Sequence, residues 1–420
     1  MSNRIGPPKF AWMDKRLQQW DDVQLKRQLR PVQADGMTVI GEDGKPRINF
    51  GSNDYLGLAA ENYSDSVATS ASTDADMPDE ASSGEDHSVD SSIRTTLRKG
   101  SGSSQLVCGY TEQHARFAAE LAAWEQTEAV ALYSSGYAAC SGVVSALARR
   151  GDLILSDAFN HASLIDGCRL SKAERFVYPH CDVAAVAALL QHHRKRFQNV
   201  WIITDSVFSM DGDIAPLSDL VDLAIRFDAT MIVDEAHATG VLGNDGSGAC
   251  KALGVKEMVD IRIGTLSKAF GVQGGFVAGP QVVIDYLLNT SRPLIYSTSP
   301  SPLTIQIAAQ HLHEIQTNAA RRYRLAEVSR RLRSKLQAAN LLSTLFTALE
   351  SRIPIHPIRI GSAEKTIAIA NQLWDRGFYV PAIRPPTVPE GTSRLRISLS
   401  AAHTDSQIDA LADELQSLLG

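Results

Sequence analysis

From about residue 112 onward, short apolar runs alternate with stretches of helical periodicity, and no other feature constrains the fold as tightly. The apolar runs are EAVALY (128–133), DLILSD (152–157), NVWIITD (199–205), TMIVDE (230–235) and IRIGTL (261–266). Helical segments such as PLSDLVDLAIRF separate them, and Phe117, Leu121 and Trp124 recur at the spacing of a core-facing helix. Strands that alternate with helices are joined by crossovers, so the expected class is α/β with a mostly parallel sheet covered by helices.

At 420 residues the chain exceeds what one hydrophobic core usually serves, and a second, smaller lobe is expected. It follows a helical region at 301–340 and occupies 341–420, with strand candidates IPIHPIRI, YVPAIR and RLRISLS. Its last helix opens on TDSQ, where Thr404 and Gln407 have capping-box spacing. The large domain spans 99–300. Residues 1–60 form a helix and a hairpin in which MTVIG and PRINF flank EDGK, and 61–98 is a serine- and aspartate-rich insertion whose composition predicts disorder.

A net charge of −6 gives nucleic acid no reason to bind, and the one basic run, His192 to Arg196, suits the end of the helix begun by VAAVAALL. The five cysteines are odd in number and unpaired in spacing, which argues against a disulfide framework or a zinc site. No membrane-length apolar run and no signal-like N-terminus is present, so a cytoplasmic setting is expected.

In open α/β sheets ligands gather beyond the carboxyl ends of the strands. Four such places point to one chemistry. Asp234 and His237 follow TMIVD, where a carboxylate can pair with a protonated pyridine nitrogen. DEAH also marks helicases, but those need a GxxxxGK[ST] loop that this chain lacks. Lys268 follows IRIGTL and can form a Schiff base in a closed pocket, with the Thr265 hydroxyl three residues earlier available to a phosphate. A lone lysine after a strand is usually surface charge; the spacing to Asp234 argues otherwise. At Ser134-Ser135-Gly136-Tyr137 a strand gives way to a helix whose free N–H groups form an anion site. His161, after DLILSD, could stack on a pyridine ring, though a histidine met alone is more often structural.

With these motifs assembled, the chain from about Leu25 to His403 resembles the α-oxoamine synthases, a branch of the fold-type-I enzymes that use pyridoxal 5'-phosphate (PLP). SNDYLGLA, FSMDGDIAPL, DEAHATGVLG, SRPLIYSTS and IRPPTVPEGTSRLRISLSAAHT carry the likeness. The resemblance implies a seven-stranded sheet, an internal aldimine at Lys268, Asp234 on the pyridine nitrogen, His237 near the ring hydroxyl and His161 stacked on the ring. It implies cofactor contacts from Ser209, Thr265, Gly136 and Tyr137, and a homodimer in which Ser297 and Thr298 reach the neighbouring phosphate. Arg27 and Thr387 match substrate-contacting positions, and Arg384 is placed like the arginine that grips the amino-acid carboxylate.

The implied reaction joins L-alanine to a pimeloyl thioester, on coenzyme A or acyl carrier protein, with loss of carbon dioxide, to give an amino ketone used for biotin. A glycine-using relative is the nearest alternative; a catalytically silent scaffold would lack Lys268. The chain departs from the usual pattern at Ser103 and Gln105, at Asp205 where many members have glutamate, and in the insertion.

Overall fold

The computed structural model describes residues 8–61, 98–342 and 347–420, so the insertion expected to be disordered lies, apart from its ends, outside the described residues. An N-terminal ribbon comprises β1 (Gln33–Asp35), β2 (Thr38–Ile40) and β3 (Pro46–Asn49), antiparallel throughout. The central sheet comprises β4 (Ala129–Tyr133), β5 (Leu153–Asp157), β6 (Glu174–Tyr178), β7 (Val200–Asp205), β8 (Thr230–Asp234), β9 (Ile261–Thr265) and β10 (Gly275–Gly279). Its seven strands run in the order β4-β10-β9-β8-β7-β5-β6. Only β10 is antiparallel to its neighbours.

The five apolar runs are all strands of this sheet, and each is buried on both faces. In β8, for example, Met231 and Val233 face one apolar cluster and Ile232 the other. The two strands without a strong apolar run are β6 and β10. Strand β6 (ERFVY) is the sheet edge and is largely exposed. Strand β10 (GFVAG) begins at a glycine because a Cβ on Gly275 would stand 2.7 Å from the Gly136 nitrogen, so small size outranks β-propensity there.

At the C-terminal end, β11 (Ile355–Gly361), β13 (Ala382–Ile383) and β14 (Ser393–Ser398) form a second antiparallel sheet, while β12 (Phe378–Tyr379) pairs in parallel with β3. The segment YVPAIR is thus not one strand. Pro381, which has no N–H, lies between β12 and β13, and the two halves join different sheets. The helical region resolves into Pro302–Thr317 and Ala320–Ala338, with the Asn318 side chain accepting the Ala320 N–H at the break. The final helix, Asp405–Leu419, carries the Thr404/Gln407 capping box. One apolar cluster runs from Phe50 and Leu56 through one face of the sheet to Leu395 and Leu411, so the C-terminal elements share a core with the central sheet.

His180, just past β6, links the ends of two strands to a loop. Its Nδ1 lies 3.0 Å from Asp157 Oδ1 and its Nε2 2.7 Å from Asp213 Oδ2, while Phe159 stacks on its ring. Burial opposes charge on the ring, but the two carboxylates outweigh it and push its pKa up to about 12. Because the folded value exceeds the ordinary 6.5, the stabilisation is complete below about 6.5 and is lost as pH rises through about 12. Replacing His180 with Gln leaves the buried Asp157 carboxylate without its cation and is expected to cost about 2 kcal/mol in urea denaturation at pH 7. The deficit should shrink at alkaline pH.

Candidate active site

Parallel strands place their carboxyl ends at one edge, and here that edge gathers chemistry. Asp205 ends β7 and Asp234 ends β8, directly paired across the sheet. Thr265 ends β9, three residues before Lys268. Asp234 is buried; its Oδ1 accepts the Ala236 N–H at 2.9 Å and its Oδ2 the Cys140 thiol at 3.1 Å. Lys268 is half-buried, and burial pushes its ammonium below the ordinary value while the Asp234 and Asp205 carboxylates pull it back. A lysine so poised can give up its proton.

Asp205, the departure from glutamate, takes the His161 N–H on Oδ2 at 2.8 Å and donates its own N–H to Asn160 Oδ1. It therefore positions the turn that carries His161. Burial, reinforced by the Asp234 charge, raises its carboxyl well above the usual range. The His161 imidazole is within electrostatic reach of both Asp234 and Lys268, its Nδ1 lies 2.7 Å from Ser163 Oγ, and its ring meets Tyr137 edge-on.

The helix Gly136–Leu147 begins at this edge, capped by Ser135 Oγ on the Ala138 N–H. A Cβ on Gly136 would lie 3.0 Å from Thr265 Oγ1, so the helix start and the Thr265 hydroxyl meet closely only because residue 136 is glycine. The loop with Ser103 and Gln105 forms a short wide turn, Gln105–Gly109, tied to β4 by Gln105 Nε2 on the Leu132 carbonyl. Thr298 is exposed and bridges to Ser104.

His237 is buried under Tyr55, and its imidazole is held well below the ordinary value by burial first and then by the Lys268 and Arg396 charges. Arg396 adjoins this group of residues. It is buried, donates from Nε to the Ser209 carbonyl at 2.6 Å and from Nη1 to Asn53 Oδ1 and Ser398 Oγ, and its charge is felt at Lys268, His237 and Tyr55. Arg384 donates to the Lys26 carbonyl beside Arg27 and Arg30, whose charges add to burial in lowering its pKa. Arg27 Nη2 meets Thr387 Oγ1 at 3.1 Å, so two residues 360 apart in sequence come together. Sequence reasoning missed Tyr55, Asn53 and Arg396. The first two lie in SNDYLG and the last in RLRIS, motifs that carried the family likeness without singling out a side chain.

Fold and site together define a fold-type-I PLP enzyme, and the chain belongs to the aminotransferase class I and II family, whose model matches residues 45–415. Its sequence is similar to 8-amino-7-oxononanoate synthases. That of Anaeromyxobacter dehalogenans is 41% identical over 408 residues, covering 97% of this chain and 95% of the relative. The Bacillus subtilis protein called 8-amino-7-oxononanoate synthase 2 is 38% identical over 411 residues, covering 97% of each chain. In structure the chain is similar to serine palmitoyltransferase from S. paucimobilis with a bound PLP–myriocin aldimine, with a TM-score of 0.83, 27% identity and 98% and 97% of the two chains covered. It is also similar to the 8-amino-7-oxononanoate synthase of Francisella tularensis, with a TM-score of 0.68, 26% identity, and 88% and 97% covered.

The residues present fit PLP. A half-buried amine stands in the field of a buried carboxylate, and a helix start abuts a threonine hydroxyl with no Cβ between them. Among the described residues no helix is long and apolar enough to cross a membrane.

Proposed function

We propose that the protein condenses L-alanine with a pimeloyl thioester, releasing 8-amino-7-oxononanoate, carbon dioxide and the thiol carrier, as a step of biotin synthesis. The observation that carries this reading is the 41% identity to 8-amino-7-oxononanoate synthases over 97% of the chain. When bound, PLP supplies an electron sink for negative charge developing at the amino-acid α-carbon.

In this reading Lys268 anchors the cofactor and, with its ammonium weakened by burial, moves the α-proton. Asp234 would hold the pyridine nitrogen, and His161 and His237 would hold the ring and its oxygen. The N–H groups of Gly136 and Tyr137 with the Thr265 hydroxyl hold the phosphate, joined by Thr298 of the partner subunit in a homodimer. Ser209 is a further cofactor contact. Arg396 takes the amino-acid carboxylate on Nη2, since it is a buried guanidinium whose Nε and Nη1 are held by the Ser209 carbonyl, Asn53 and Ser398. Arg27 and Thr387, already bonded to each other, contact the acyl substrate, and Arg384 extends their positive field.

Residues 99–300 serve as the cofactor-binding unit, joined by 301–340 to a smaller unit at 341–420. A panel of L-alanine, glycine and L-serine against pimeloyl-coenzyme A and pimeloyl-acyl carrier protein, with products identified by mass, tests the reading. Turnover of alanine with at least one pimeloyl donor is expected, and its absence would sink the assignment.

A further inference from the structure

Tyr55 has no part in the chemistry described so far, yet it is fully buried and touches His237 directly. Its hydroxyl oxygen lies 2.6 Å from His237 Nδ1 and 3.2 Å from Asn53 Oδ1. One hydroxyl proton cannot serve both contacts.

Distance decides between them. Bonds given by an N–H span roughly 2.7–3.2 Å and those given by an O–H roughly 2.5–3.0 Å. The contact with His237 is shorter than an N–H donor usually makes, and the contact with Asn53 is longer than an O–H donor usually makes. Arg396 Nη1 donates to Asn53 Oδ1 at 3.1 Å, and because arginine only donates, the atom facing it must be the amide oxygen, which keeps a donor when the Tyr55 proton turns away. The Tyr55 proton therefore points at His237 Nδ1.

The imidazole itself carries a single proton. It is buried, and the charged groups that face it, Lys268 from the loop after β9 and Arg396 from β14, are both cationic, with His161 adding to them. A neutral ring whose Nδ1 accepts a hydrogen bond keeps its proton on Nε2.

We propose that Tyr55 is a positioning residue that fixes His237 as the Nε2–H tautomer, so that an uncharged ring presents a hydrogen-bond donor to the cofactor's ring oxygen. The inference rests on the placement of PLP at Lys268. A donor at that oxygen stabilises its anionic form, which holds down the pH at which the bound cofactor's visible absorption titrates. Without Tyr55 the ring proton is free to sit on either nitrogen, and the donor is no longer guaranteed.

The test uses holoenzyme with ¹⁵N-labelled histidine, the His237 signals being assigned by their loss in His237→Gln. Native protein should show a protonated Nε2 and a bare Nδ1, and Tyr55→Phe, which keeps the aromatic packing, should show a mixture. In the same variant the midpoint of the visible-band titration should rise by about one pH unit, a tenfold change in proton affinity. A role in packing alone would leave that midpoint in place. A protonated Nδ1 in the native protein, or an unmoved midpoint in Tyr55→Phe, overturns the proposal. Should the variant fold poorly, the native ¹⁵N pattern decides alone. A visible band that disappears in Lys268→Ala, combined with a protonated Nδ1, would overturn this inference and leave the cofactor reading standing.

Discussion

Lys268→Ala is expected to lose the visible absorption of lysine-bound PLP and to lower kcat/KM by roughly 10⁴-fold or more, because one side chain supplies both the attachment point and the proton carrier. The fold should survive, since Lys268 is half-buried and its loss relieves an amine whose burial is unfavourable. Absorbance at fixed PLP, far-ultraviolet circular dichroism and single-turnover α-proton exchange from L-alanine would separate the three effects. Exchange at the native rate in the variant would move the proton carrier to another residue, with His161 the next to examine, since it shares the field of Asp234.

The second large effect distinguishes two arginines. Arg396→Lys is expected to lower kcat/KM for L-alanine by about 10²–10³-fold, mostly through KM, because a lysine, with three donors, cannot keep the bonds to Ser209, Asn53 and Ser398 and still offer N–H groups to a carboxylate. Arg384→Lys should change the same constant by about tenfold or less and act mainly on the acyl substrate. The expectation follows from placement. Arg396 is fixed by the Ser209 carbonyl, Asn53 and Ser398, and its charge reaches Lys268 and His237, whereas Arg384 bonds the Lys26 carbonyl beside Arg27 and Arg30. A larger effect on alanine at Arg384 would restore that residue to the carboxylate role that its IRPPT motif suggests.

The contrast between these arginines shows what local sequence can and cannot carry. IRPPT and RLRIS are twelve residues apart at Arg384 and Arg396, and local sequence singles out only the first. Which of them faces the lysine depends on where β14 docks, a contact among β14, FSMDG and SNDYLG that spans more than 340 residues. Asp205 is similar. As a departure from glutamate it had no evident job, and only the turn it holds, through the His161 N–H, gives it one.

By itself the sequence determined the class of fold and where its candidate reactive groups lie along the chain. Five apolar runs between helical segments dictate a mostly parallel sheet, because a run buried on both faces needs helices above and below it. Parallel strands in turn dictate that Asp234, Thr265 and the Gly136 turn share one edge with Lys268 nearby. Tertiary structure alone decided what periodicity cannot encode. Strand β10 sits antiparallel between β4 and β9, where close approach to Gly136 demanded glycine, and YVPAIR divides between two sheets at Pro381. The buried network of Tyr55, Asn53, Arg396 and His237 likewise exists only once residues from both ends of the chain are packed together. The physical reason is the same in each case: period and composition fix which face of an element is buried, but hydrogen-bond partners distant in sequence are chosen by packing.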